Sequence, residues 1–174
     1  NKKDEKIFSK KNSKAINNGI TIDADNFNFD RNTNILNANG DVKIDDKIEN
    51  YKINAEDITY FKNKNKIITK GKTEAFFNEL YYFESSDVTL NRSIKEVKSD
   101  RFSIIKDDNG NIYKLSNFNF LYDKKFLRGS NLEVITNYLN EKSDKFYFES
   151  AFINFTDKSF VSKDTKILLN KKLL

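Results

Sequence analysis

The chain has 174 residues, with 31 Lys and Arg against 26 Asp and Glu for a net charge of +5, and 33% of its residues are charged. It contains no Cys and no His. That excludes disulfides, thiolate metal centres, cysteine nucleophiles and every Ser-His-Asp or Cys-His arrangement.

Leu, Ile, Val and Phe make up roughly 29% of the chain, above the ~20% that marks intrinsic disorder. One core-forming domain is expected. Residues 1–19 read as a polar N-terminal segment and residues 20–174 as the domain. No run approaches the ~18 apolar residues of a membrane span. The first residue is Asn1 and no apolar signal core follows it, the expectation for a processed mature form or a trimmed soluble portion. No phosphate-binding glycine loop occurs among the five glycines. Any catalysis would fall to carboxylates, Lys, Tyr or Ser, so the chain is expected to be no enzyme, with no cofactor and no metal.

In chain order, five segments align. They are IDADNFNFD from Ile22, INAEDITYF from Ile53, FESSDVTLN from Phe83, YKLSNFNFL from Tyr113 and FESAFINFT from Phe148, at spacings of 31, 30, 30 and 35 residues. The longest spacing contains a polar insertion at 137–145. An apolar residue recurs five positions after each start (Phe27, Ile58, Val88, Phe118, Ile153) and another two positions later (Phe29, Tyr60, Leu90, Phe120, Phe155). Residues two apart share a strand face. From Ala24 to Phe27, however, the step is three, which reverses the face unless a residue is absorbed in a bulge or corner at Asp25–Asn26. The same step recurs from Ala55 to Ile58, Ser85 to Val88, Leu115 to Phe118 and Ser150 to Ile153. Each bent strand is followed by an Asn/Asp/Lys-rich turn and a return strand, such as 36–44 or 67–76. IKDDNGN, from Ile105 to Asn111, reads as a hairpin with Asn109–Gly110 as a type I′ turn rather than a calcium loop.

The sum is an all-β chain of about five hairpin repeats of ~30 residues, near ten antiparallel strands stacked as two facing sheets, a jelly roll or slightly open sandwich. A parallel solenoid is the competing solution; the tight turns favour hairpins.

The residues Ile22, Ala24, Asp25, Phe29 and Asp30, then Ala38, Gly40, Asp41, Val42, Lys43 and Ile44, resemble the OstA-like family of lipopolysaccharide transport. Ile53, Ala55, Asp57, Tyr60 and Gly71 repeat the pattern. The resemblance spans roughly residues 20 to 170 and is carried by the first two units. It implies a V-shaped β-jellyroll whose apolar interior holds lipid A acyl chains. It also implies edge-to-edge joining with neighbouring jellyrolls, and a periplasmic location associated with the outer membrane of a Gram-negative bacterium. Later segments such as FLRGSNLEVIT look more like the N-terminal domain of an outer-membrane translocon, leading into a barrel, than like a free-standing bridge protein.

On that reading the interior lining is Ile22, Ala24, Phe27, Phe29, Ile44, Ile53, Ile58, Tyr60, Val88, Leu90, Phe118 and Phe120. The partner edges are Ile20, Thr21 and Asp23 at one end and Ile167, Leu168 and Leu169 at the other, unprotected by any Pro. Two other functions remain: a purely structural hairpin stack that binds protein, and a glycan-active enzyme using two carboxylates. Lys residues alternate with Asp and Glu rather than forming a stripe, so no nucleic-acid partner is expected.

Overall fold

The computed structural model describes residues 6–17, 19–139, 143–169 and 172–173. All of its regular structure is antiparallel β apart from one 3-10 turn at Lys62–Lys64. The strands are β1 (Lys6–Asn17), β2 (Ile20–Asp30), β3 (Ile35–Asp46), β4 (Tyr51–Phe61), β5 (Lys66–Phe77), β6 (Tyr81–Ser86), β7 (Thr89–Asn91), β8 (Glu96–Ser99), β9 (Ser103–Asp107), β10 (Ile112–Leu115), β11 (Asn117–Leu121), β12 (Phe126–Ile135), β13 (Lys145–Asn154), β14 (Ser159–Leu169) and β15 (Lys172–Leu173).

These strands form a meander whose long members are bent midway, so one hydrogen-bonded ribbon divides into two facing half-sheets. Register shifts mark the bends between Asp23 and Asn26, between Asn39 and Val42, and between Ala55 and Asp57. Farther along, the bend breaks the strand: β6 and β7 flank Asp87–Val88, and β10 and β11 flank Ser116. At β5 the two halves part company, since its Lys72–Phe77 half pairs β6 while its Lys66–Ile68 half pairs β7. Sheet A collects the halves 6–10, 26–30, 35–39, 57–61, 66–68, 89–91, 96–99, 117–121, 126–130, 150–154 and 159–163. Sheet B collects the complementary halves. The step of three in each repeat is this corner, and the antiparallel two-sheet stack read from the sequence is the observed fold.

Small polar groups satisfy the backbone where the corner interrupts the ladder. Gly40 and Gly71 sit at positive φ (78° and 75°), which glycine adopts without a side-chain clash. The Gly71 N–H donates to Asp87 Oδ1 (3.1 Å) and the Gly40 N–H to Asp57 Oδ1 (3.4 Å). Inside the corner the Val88 N–H donates to Thr69 Oγ1 (2.8 Å), and Thr73 Oγ1 donates to the same oxygen (2.7 Å). Asp57 and Asp87, beside the bends, therefore serve as acceptors for backbone N–H groups.

The turns at the far end of sheet A stack on one another. Lys62, Arg92, Tyr122 and Phe155 donate their N–H groups to the carbonyls of Asn34, Asn65, Lys95 and Lys125, at 2.9–3.1 Å. All four acceptor residues are left-handed, with φ between 46° and 56°. The ~30-residue period therefore places one such turn directly upon the last.

Four sequence expectations are corrected. Lys6–Asn17, read as a polar segment ahead of the domain, is a strand of the same ribbon, with Ile7 opposite Phe29 and Ala15 opposite Ile22. Lys11 and Asn12 adopt left-handed φ and absorb a bulge, which keeps Ser13 and Ala15 facing inward while most of the strand is exposed. Ile20, Thr21 and Asp23, read as an open edge, are consequently paired on both sides, to β1 and to β3. At the other end Ile167 and Leu168 pair β13, and Leu168 and Leu169 also pair β15, so the apolar ILL run is partly covered. The turn at 108–111 is a hairpin, but only Gly110 has positive φ. Asp107 Oδ1 accepts the N–H groups of Asn109 and Asn111 (3.0 and 2.9 Å), and this carboxylate closure takes the place of a type I′ turn.

Thr69→Val keeps the shape of a buried side chain but strands the Val88 N–H at the corner. We expect a loss of about 1–3 kcal/mol, read by urea unfolding as a lower midpoint with an unchanged slope.

Candidate functional site

The facing half-sheets bury apolar side chains from every repeat, but the space between them is not uniform. At the N-terminal end it opens into a cavity of about 300 Å³. Its floor is Ile20, Ile22, Phe27, Phe29, Leu36 and Tyr60, and its outer wall is Ile7, Ala15 and Ile16 from β1. Ile7, opposite Phe29, is 44% exposed, so apolar surface at this opening is already in contact with water, whereas Ile16, opposite Thr21, turns its side chain to the outer face. Lys62 stands at the rim with its ammonium over the Phe29 ring (5.5 Å), while the Lys14 ammonium is paired with Asp23 Oδ1 (3.4 Å).

At the C-terminal end a second cavity of about 390 Å³ lies between Tyr81, Tyr113, Val134, Phe146 and Phe148 of sheet B and Ile153, Phe155 and Phe160 on the sheet A side. Phe160 is 49% exposed. The rim again carries a lysine, Lys158, together with Asn109, Asn111, Asn154 and Ser159. Each opening thus pairs an apolar floor with a polar, hydrogen-bonding lip that carries one lysine, and the second lip also holds the Asp107 carboxylate.

Between the openings the interior is filled. Phe77 packs against Tyr51 (5.6 Å), Tyr122 (5.1 Å) and Phe83 (5.4 Å). Phe120, fully buried, meets Tyr81 (5.2 Å) and Phe83 (5.1 Å), and Phe155 meets Tyr81 (5.0 Å) and Tyr113 (5.4 Å). Most of these ring pairs cross from one sheet to the other.

The free margin of this mid-section is tied by charge. Asp46, at the end of β3, is buried; its Oδ1 accepts the N–H groups of Ile48 and Glu49 (both 3.0 Å). Its Oδ2 accepts from Nη2 of Arg92 (2.6 Å), which lies on the turn after β7 in the opposite sheet. Nη1 of the same guanidinium donates to Tyr60 Oη (3.3 Å). Next to it Lys95 Nζ pairs with Glu49 Oε2 (3.1 Å) across the same gap. Burial opposes ionisation of Asp46, but the Glu49 N–H and the Arg92 guanidinium outweigh it and hold its carboxyl below the usual range. Burial pushes the Tyr51 and Tyr122 phenols well up, so both stay protonated. Tyr122 Oη and Arg92 Nε are buried with no hydrogen-bond partner among the described residues. Tyr51 Oη is buried beside the Asp46 carboxylate without a hydrogen bond of ordinary length.

Of the twelve residues read as interior lining, all face the inter-sheet space or its margin, but they divide. Ile22, Phe27, Phe29 and Tyr60 line the N-terminal opening. Ala24, Ile44, Ile53, Ile58, Val88, Leu90, Phe118 and Phe120 are buried in the packed core instead. Sequence reasoning misses the whole C-terminal opening, and Ile7, Ala15 and Ile16 as well. The alternation FYFES from Phe146, with Phe155 and Phe160, is the sequence signal that marks the second cavity. Nothing in the polar composition of β1 marks the wall it supplies.

No protein-family model matches the sequence, and no curated protein matches it. Among solved structures, the chain aligns with LptH of Pseudomonas aeruginosa, described as the LptA-homologous periplasmic component of the conserved lipopolysaccharide transport device. The alignment has 12% identity and a TM-score of 0.33, over 82% of this chain and 80% of that one, and it is too loose to transfer a residue's role.

Removing one member of a buried ion pair leaves the other charge dry. Arg92→Ala should therefore cost about 3–5 kcal/mol, whereas Lys95→Ala, at a solvent-screened pair, should cost less than about 1 kcal/mol; equilibrium denaturation of the two variants gives the comparison.

Asp46 also sets a pH dependence. A carboxyl whose folded pKa lies below its unfolded value near ~3.9 contributes stability above that value and loses it as pH falls through the folded one. Stability should therefore drop on the acid side of about pH 4, and Asp46→Asn should flatten that part of the curve.

Proposed function

We propose that this chain is a lipid-binding module of lipopolysaccharide transport that holds acyl chains between its half-sheets. The observation that carries the reading is the N-terminal opening, whose apolar floor continues into water-exposed Ile7 beneath Lys62. Its chemistry suits an amphiphile with apolar tails and anionic head groups. Each methylene transferred from water into such a floor is worth about 0.8 kcal/mol, and a lysine lip attracts phosphate without requiring one fixed geometry. The sequence pattern Ile22–Asp30 and Ala38–Ile44 supports the same reading through its resemblance to the OstA-like family.

Within that family we assign the chain to the N-terminal periplasmic domain type of LptD, delivering lipid toward an outer-membrane barrel, with a stand-alone LptA-type bridge as the alternative. The location is the periplasm, at the outer membrane. Neighbouring jellyrolls would add strands at β1 and β14, rather than at β2. The reading assigns the chain no catalytic step.

The packed mid-section favours a second reading, a structural hairpin stack that takes no lipid, because its aromatic interior resembles an ordinary core. Photo-crosslinking separates the two. Benzoylphenylalanine in place of Phe29 or Phe148 should form adducts with purified lipid A well above those from the turn position Asn63. Equal, background-level adducts at all three positions would leave only the structural stack.

A further inference from the structure

We propose that the filled mid-section is a gate between the two openings, and that the Arg92–Asp46 and Lys95–Glu49 pairs are its latch. The passenger's identity rests on the lipid-binding reading above; the gate itself rests on the geometry.

Three observations carry it. First, the two cavities lie at opposite ends of one inter-sheet space and are separated only by side chains. The aromatic run from Tyr51 through Phe77 and Phe120 to Phe155, with Tyr122 packed on Phe77, starts at the Arg92 guanidinium that also bonds Tyr60 on the floor of the first cavity, and ends among the walls of the second. No covalent tie holds the sheets together there, since the chain has no Cys.

Second, the latch sits where opening would occur. The backbone bonds that stack the turns run within one sheet, from Asn34 to Lys62 and onward along sheet A, or from Asn50 to Asn78 along sheet B. Arg92 to Asp46 and Lys95 to Glu49 instead run from a turn of sheet A to a turn of sheet B. At the opposite margin the sheets are continuous through corners at Gly40 and Gly71, which occupy positive φ. A hinge on one margin and a polar latch on the other allow the sheets to part without breaking either ladder.

Third, the closed state leaves Tyr122 Oη and Arg92 Nε dry and without hydrogen-bond partners among the described residues. A buried, unpaired polar group is costly, and parting the margin returns both to water. That gain offsets part of the cost of separating the aromatic rings, which brings the two states close enough in energy for a passenger to shift their populations.

The test uses the cysteine-free chain directly. Glu49→Cys and Lys95→Cys are joined by a cleavable bis-maleimide, and benzoylphenylalanine is placed at Tyr122, mid-way, or at Phe29 or Phe148, at the ends. With purified lipid A, the unbridged protein should form adducts at all three positions. The bridged protein should keep the end adducts and lose the Tyr122 adduct, and cleaving the linker should restore it. Indistinguishable Tyr122 labelling before and after bridging would overturn the gate. Absence of adducts at the ends would count against the lipid reading alone. Nitroxide labels on the same two cysteines then decide the gate without lipid. Adding Asp46→Asn with Arg92→Gln should lengthen and broaden their distance distribution, and an unchanged narrow distribution in a folded variant would overturn the proposal.

Discussion

Each long strand carries its buried residues in two alternating runs whose phases differ by one position, so a straight strand could bury only one of them. The corner between Ala24 and Phe27, repeated in every unit, brings both runs to the same side. It also dictates where polar residues must go. A corner frees backbone N–H groups from the ladder, and Thr69 in the buried interior and Asp57 and Asp87 nearer the solvent are placed to accept them. The two-sheet shape, the corner glycines and the acidic residues beside them are therefore consequences of one spacing.

Twist then decides which parts of the interior are full. Tyr51 of β4 meets Tyr122, which follows β11, and Tyr81 of β6 meets Phe155, which follows β13. The half-sheets thus face each other out of step, as right-handed twist accumulating along a ribbon requires. The middle strands of each sheet find partners across the gap and form a dense aromatic core. The first strands of sheet A and the last of sheet B find fewer, and there the apolar floor opens. The cavities are what two twisted ribbons joined along one margin leave at their ends.

The latch follows from the same offset. It brings the turn carrying Arg92 over the turn carrying Asp46, although 46 residues separate them in the chain. Asp46 already closes its own turn by accepting the Ile48 and Glu49 N–H groups. Its second oxygen is then oriented toward Arg92 with no further ordering cost, the arrangement in which a buried charge pair is best tolerated. An aromatic core would hold the sheets together by itself, but without direction; the charge pairs select this relative placement of the two margins.

The strand phases, the corner in each repeat, the positions of the turns and the shared ~30-residue register of the five units were legible in the sequence, because alternation and Asn/Asp/Gly turns are local signals. Phe27, Phe29 and Tyr60 could be assigned to the interior on the same ground. Whether an interior residue lines a cavity, as Phe29 does, or packs a core, as Phe120 does, depends on what stands across the gap. That is set by the twist accumulated over several strands, and no short window records it. The edge at β1 was hidden for a related reason: most of its side chains are polar and exposed, and its pairing is made by backbone atoms that every residue carries. The sequence by itself determined which side chains turn inward and where each strand bends. Only the tertiary structure decided which of them meet, because the relative offset of two sheets is a property of the whole ribbon.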